Sequence, residues 1–347
     1  MNIKKYWWVF VFLAPFIGIG AASVQIYYGL YMWTYKGEPV TFEIKSGETF
    51  GKINYRLGEQ DLIFSKKLFH RYCQLKDMMT KFQVGRYRIE PGTNMLSLIE
   101  QLSSGQSIQI SVTVPEGKNL FQIAEIVESK KVCPANEFVS LAKDPNFVKK
   151  LNLPGERVEG YLYPDTYRFS EGLPCKDVIS KMVETFHQQT KDIDFSGSSL
   201  SKKEVIILAS VVEKETGAAH ERPMISGVFH NRLKKRMRLQ SDPTTIYGIY
   251  ENFNGNLRKK HLQEKTPYNT YKIPGLPIGP ICNPGREAIE AVLKPADHEF
   301  LFFVSQNDGT HVFAKTYADH RKNVDFFQKN YANRRGKSWR DLNKKEQ

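Results

Sequence analysis

Only four cysteines occur in the 347 residues, Cys73, Cys133, Cys175 and Cys282, and no two form a C-x-x-C pair. That spacing supports neither a zinc site nor a dithiol redox motif, so no metal is expected. The four are read as free, mostly buried thiols, although a disulfide is chemically open to any part of the chain outside the cytoplasm. Acidic residues are also short: 37 Asp and Glu stand against 50 Lys and Arg, a formal net charge of +13. Such a balance suits nucleic acid, an anionic membrane surface or an anionic polymer. No nucleic-acid-binding motif is present, which removes the first of these. Much of the excess is solubilising lysine, and residues 321–347 alone carry nine Lys or Arg. A hydrophobic content of 41% with 12% aromatics excludes a disordered chain and is ample for a packed core.

Charge is missing altogether from residues 6–35, where Trp7, Trp8, Tyr27, Tyr28, Tyr31 and Trp33 gather toward the two ends. About 20 apolar residues span a bilayer core and aromatic belts mark its interfaces, so this stretch is expected to be a single transmembrane anchor. Lys4 and Lys5 before it keep residues 1–5 in the cytoplasm and send the bulk of the chain across. A cleaved signal peptide with Ala21-Ala22-Ser23 as processing site is the competing reading, disfavoured because the apolar run outlasts an ordinary h-region.

After an exit linker comes a weak internal repeat. Strand-like runs at 40–45, 86–90 and 108–114 each lead into a glycine turn (Gly47, Gly92, Gly117) and then an apolar-periodic helix. Each glycine is followed by aliphatics at the same two offsets: Ile53 and Leu57, Leu98 and Leu102, Ile123 and Val127. Such strand–turn–helix units resemble LysM modules, which bind glycans; a purely structural α+β spacer accounts for them equally well. The expected fold class is α+β: anchor 6–35, a LysM-like α/β module 38–114, a mixed catalytic domain 115–335 and a basic tail 336–347.

The stretch 201–248 organises the rest. Ser201 and Glu204 form a capping box opening a helix. Val205, Leu208, Val211, Val212 and Glu215 then fall on one face, with Glu213 and Lys214 pointing to water or the flank, and Gly217 stops the helix. A carboxyl ending an apolar stripe beside a break is partly desolvated, which raises its pKa toward what a general acid needs. A solvated helix-end glutamate satisfies the same periodicity. In the following helix Asn231 and Arg232 lie beside the stripe of Ile225, Val228, Phe229 and Leu233, either holding Glu215 or substrate or as plain flank residues. The 159–167 loop carries Glu159, Tyr163, Asp165 and Tyr167, suited to sugar faces, although Asp165 equally suits a cap. The Pro/Gly-rich 274–285 run is a stiff wall. Phe300–Val304 and His311–Lys315 read as a β-hairpin with His311 structural or peripheral.

Glu213-Lys214-Glu215-Thr216, Glu221-Arg222, Asn231-Arg232-Leu233 and Leu239-Gln240-Ser241-Asp242-Pro243-Thr244, with Glu159-Gly160-Tyr161-Leu162-Tyr163-Pro164-Asp165-Thr166-Tyr167, Tyr268-Asn269-Thr270-Tyr271 and Gly275-Leu276-Pro277-Ile278-Gly279-Pro280, resemble the endolytic murein transglycosylase (MltG, or YceG-like) family over nearly the whole chain. The resemblance implies that Glu215 is the catalytic residue and that Thr216 orients it, with Gln240, Asp242, Tyr268 and Asn269 as candidates for lining a glycan cleft. It further implies an inner-membrane enzyme facing outward, acting on nascent peptidoglycan strands near cell-wall synthases, with no cofactor. In this chemistry one glutamic acid protonates the bridge oxygen between N-acetylmuramic acid and N-acetylglucosamine. Its carboxylate then takes the proton of the muramyl C6 hydroxyl as a 1,6-anhydro ring closes, so the nucleophile belongs to the substrate.

Two other classes compete. One is a catalytically silent glycan-binding scaffold. The other is a two-carboxylate muramidase with Asp165, Asp242 or Glu213 as second carboxylate. A serine penicillin-binding enzyme is rejected: Ser199-Leu200-Ser201-Lys202 matches S-x-x-K but has no K-T-G partner, and Ser201 serves as a cap.

Overall fold

The computed structural model describes residues 7–215 and 217–330, with side chains from residue 13. The basic tail 336–347 lies outside the described residues. The described residues divide into two compact units: those up to 111 with 130–133 and 168–174, and 112–129 with 134–167 and those from 175 on.

The first unit begins with α1 (Trp7–Tyr27), which carries Pro15 and passes into a π turn at Tyr28–Met32. Leu13–Met32 is long and apolar enough to cross a membrane, and Phe16, Ile17, Ile19 and Val24 stay exposed along it. Beyond it, β1 (Val40–Ile44), α2 (Phe50–Glu59), α3 (Lys66–Leu75), β2 (Gly85–Ile89) and α4 (Met95–Ser104) form the small core. The two strands pair antiparallel, Phe42 opposite Tyr87, and alternation buries Phe42, Ile44, Tyr87 and Ile89 on one face. The predicted repeat is present: β3 (Gln109–Thr113) and α5 (Leu120–Ser129) form its third copy, and all six repeat aliphatics are buried. Gly47, Gly92 and Gly117 each turn the chain at positive φ, 75°, 90° and 73°, where a Cβ would be strained.

The second unit takes in α5, then α6 (Ala135–Ala142) and α7 (Pro145–Lys150). β4 (Thr166–Ser170), like β3, is divided between the units; α8 (Cys175–Gln189) and α9 (Lys202–Glu215) follow. Next come α10 (Arg222–Lys234), α11 (Asp242–Gly248), α12 (Lys259–Gln263) and α13 (Arg286–Leu293). The hairpin β5 (Phe302–Ser305) and β6 (His311–Ala314) and the helix α14 (Tyr317–Val324) complete the described chain. The capping box of α9 is made: the Glu204 N–H donates to Ser201 Oγ at 3.3 Å and the Ser201 N–H to Glu204 Oε2 at 2.8 Å.

Two expectations are corrected here. The helix α9 is not one-faced, because residues 205–212 are all buried, packed by α10, α11 and α13. A helix apolar all round belongs at the centre of a fold. And the thiols are not all free: Cys73 and Cys282 are free and buried, whereas Cys133 and Cys175 are disulfide-bonded. Nothing in the spacing of the latter two signals that bond, which depends on how distant segments come together.

Candidate active site

Glu215 is the last residue of α9, half-buried, and Ser241 Oγ donates to its Oε1. Ser241 is in turn held from behind. Its N–H donates to Thr270 Oγ1 at 3.0 Å, its carbonyl accepts from Thr244 Oγ1 at 2.7 Å, and those two threonine hydroxyls meet at 2.8 Å. All three residues are buried. The motifs 239–244 and 268–271 thus lock to each other and deliver one hydroxyl to the acid.

Burial pushes the Glu215 carboxyl up to about 7, against the hydrogen bond from Ser241, which favours the anion; the nearby Asp242 charge adds to the rise and Arg232 opposes it. The group is therefore poised between protonation states near neutral pH, the condition for an acid that must become a base. Replacing Ser241 by Ala removes an opposing cause, so the pH above which activity declines should move upward by about one unit, as measured from kcat/KM profiles, together with a loss of activity of roughly tenfold.

The sequence-named residues separate into two groups. Asp242 is exposed, accepts from the Tyr271 hydroxyl at 2.8 Å and acts on Glu215 through its charge. Gln240 is exposed beside Ser241, in the left-handed region at φ 51°. Thr216 lies outside the described residues. Tyr268 packs edge-on against Tyr247, ring centroids 4.8 Å apart, and lines a cavity of about 420 Å³ with Pro267, Gly279 and Pro280. Asn269 is fully buried: its Nδ2 donates to the carbonyls of His261, Leu262 and Glu264, and its Oδ1 accepts from Thr245 Oγ1 and the Tyr271 N–H. Its whole amide is spent on shaping the loop. Arg232 bonds the carbonyls of Leu239 at 2.5 Å and Leu301 at 2.7 Å, and Asn231 those of His298 and Phe300, so both brace backbone. His311 is bound by Glu221, which accepts from both its N–H and Nδ1. Asp165 accepts from the Thr166 N–H at 2.7 Å, a turn role.

Glu213 does not point to water. Its side chain is 6% exposed and pairs with Arg222 Nη2 at 3.0 Å, while its other oxygen accepts from the Gly285 N–H at 3.1 Å. Arg222 also reaches Glu287 at 2.5 Å and Glu116 at 3.2 Å. Of the two glutamates in Glu213-Lys214-Glu215, the first is held by this cluster and the second by Ser241.

A second buried carboxyl has no cation paired with it among the described residues. Glu159, 1% exposed, accepts from the Leu120 N–H, from Tyr247 Oη at 2.8 Å and from Asn283 Nδ2 at 2.8 Å. Burial pushes it, too, up to about 7. Asn283 Oδ1 accepts the Gly160 and Leu162 N–H groups, so this network ties the 159–167 loop to the 274–285 wall. Gly160 is required there: at φ 89° a Cβ would run into the Pro280 ring. Ser241, Asn283 and the Glu159 network were not singled out by residue chemistry alone, because their role depends on partners distant in sequence.

Residues 42–326 match the YceG-like family. The chain belongs to that family. It is 32% identical over 301 residues to the endolytic murein transglycosylase of Bacillus subtilis, covering 82% of this chain and 83% of that one. The endolytic murein transglycosylase of Streptococcus pneumoniae is 28% identical over 82% of this chain, and the match spans 58% of its own length. Among solved structures, a putative YceG-like protein of Listeria monocytogenes superposes with a TM-score of 0.57 at 29% identity, over 82% of this chain and 98% of that one.

Proposed function

We propose that this YceG-like chain is an endolytic peptidoglycan lytic transglycosylase, cleaving the bond between N-acetylmuramic acid and N-acetylglucosamine with formation of 1,6-anhydro ends. The observation that carries the reading is Glu215: a carboxyl pushed to about 7 by burial yet given a hydroxyl donor for its anionic form. Protonated, it donates to the bridge oxygen. The resulting carboxylate is favoured by Ser241 and by the Arg232 charge, while desolvation and Asp242 favour its recovery of a proton, here from the muramyl C6 hydroxyl. Both halves of the cycle use the same atoms, and no water attacks. Gln240, Asp242 and Tyr268, with Thr216 beside the acid, contact the glycan, and Asn269 shapes the wall from behind.

In this reading Leu13–Met32 anchors the protein in the cytoplasmic membrane as a single pass, with the part of the chain that follows it on the outer side. Nascent glycan strands and the synthases that make them are then its neighbours. The two copies of the repeat that lie in the first unit support a LysM-like, glycan-holding role.

One observation favours a second reading. Asp242 is near enough to raise the Glu215 pKa and is itself held by Tyr271. Acting as a base toward water, it would make the enzyme a hydrolytic muramidase. Mass spectrometry of fragments released from sacculi by the full chain in detergent decides between them. Anhydro ends are expected; reducing ends, heavier by one water, would establish the hydrolase, and binding without release would leave only a scaffold.

A further inference from the structure

Lys214, between the two motif glutamates, has no part in the chemistry above, and its surroundings are unusual for a lysine. It is exposed and, among the described residues, meets no carboxylate and bonds at 3.3 Å to the Gly117 carbonyl. It lines a cavity of about 330 Å³ whose other walls include Pro243, Ile246, Tyr250, Phe253 and Ile281. Among the described residues Lys214 is the one charged residue in that lining. The volume lies in the range of small-ligand sites, and the wall is largely apolar and aromatic, as such sites are. Tyr250 is fixed in place, stacked on Phe121 with centroids 4.9 Å apart and planes 15° apart. Tyr247, another lining residue, is fixed by its bond to Glu159. The cavity is next to the acid through the chain itself: Lys214 precedes Glu215 and Pro243 follows Asp242.

We infer that this cavity is a substrate subsite, and that Lys214 reads the anionic arm of the muramyl unit. The inference rests on the glycan-cleaving reading above. In an alternating glycan the two sugars share their ring chemistry, and only the muramyl unit carries a lactyl arm. Its anions, the lactate carboxylate itself or the carboxylates of the attached acidic peptide, hang from that arm. Aliphatic and aromatic walls suit the lactyl methyl and the sugar face, and one unpaired ammonium suits the anion. A cut confined to one side of the muramyl ring requires such a distinction, because without it the strand can bind shifted by one sugar.

The test uses binding, so that it does not depend on turnover. Full-length Glu215→Gln protein in detergent is titrated with solubilised peptide-bearing glycan strands, and with the same strands after their carboxylates have been converted to neutral amides. The parent should bind native strands about tenfold more tightly than neutralised ones. Adding Lys214→Met should weaken native binding about tenfold, leave neutralised binding unchanged and abolish the preference; Lys214→Arg should restore most of it. Equal affinity of the parent for both strands, or equal weakening of both by Lys214→Met, would overturn the inference. If the wild-type chain releases no anhydro ends while the Lys214-dependent preference persists, the proposed reaction fails and the subsite stands. If anhydro ends are released with no such preference, the subsite alone falls.

Discussion

Glu215→Gln should lower release of anhydro-muropeptides from sacculi by on the order of 10³-fold or more, with the fold retained. Glutamine fills nearly the same volume and keeps an oxygen for the Ser241 hydroxyl, but it has no proton to give. Wild-type kcat/KM should be level below pH 7 and fall tenfold per unit above it, because the competent form is the acid and burial places its titration at about 7. The variant's residual rate should lack that limb. The substitution should act on stability in the opposite sense, as a gain at high pH. The folded-state pKa of this carboxyl lies above the unfolded value, so its favourable contribution is full below about 4.5 and is lost as pH rises through about 7. At pH 8 the wild type therefore bears a cost, at most about 3 kcal/mol, that the glutamine variant escapes. Equal activity of the two proteins in the product assay would remove Glu215 from the mechanism.

The features readable in the sequence were local ones. Three glycine turns at equal distance from aliphatic pairs fixed three strand–turn–helix units, because a positive φ and a one-faced helix are each decided within a dozen residues. The capping box at Ser201 and the end of α9 at Glu215 are local for the same reason. What escaped was whatever depends on distant segments. The burial of α9 on all sides comes from α10, α11 and α13 together, the last far along the chain, so periodicity understated it. Glu213 looked like a flank residue until Arg222 and the Gly285 amide were brought to it. Glu159 sits in a motif legible as sugar-facing, yet its oxygens are taken by Leu120, Tyr247 and Asn283. Asn269, expected on the cleft wall, has its amide spent on five groups of α11, α12 and the loop that follows. In each case the direction of the side chain was set by tertiary packing, which no local pattern carries.

Arg222→Met should destabilise the second unit by about 3–5 kcal/mol, the usual result of stripping the cation from a buried pair. The guanidinium joins three segments: Glu116 of the turn before Gly117, Glu213 near the end of α9 and Glu287 at the start of α13. Only Glu213 among the three carboxylates is deeply buried, so most of the cost falls on that pair, and the exposed Glu287 and half-exposed Glu116 contribute little. Methionine keeps most of the side-chain volume, which separates the charge effect from a cavity effect. For a domain of this size the melting temperature should drop by roughly 10 °C at pH 7, read by circular dichroism. The deficit should narrow toward pH 4. Burial and the Glu213 and Glu287 charges already push the Glu116 carboxyl upward against Arg222, so acid relieves the repulsion that the lost cation leaves behind. Adding Glu213→Gln to Arg222→Met should recover part of the loss, since the double variant no longer buries an unpaired charge. A full recovery of stability without recovery of turnover would mean that the ion pair also aims the end of α9, two residues from the acid; recovery of both would confine Arg222 to holding the unit together.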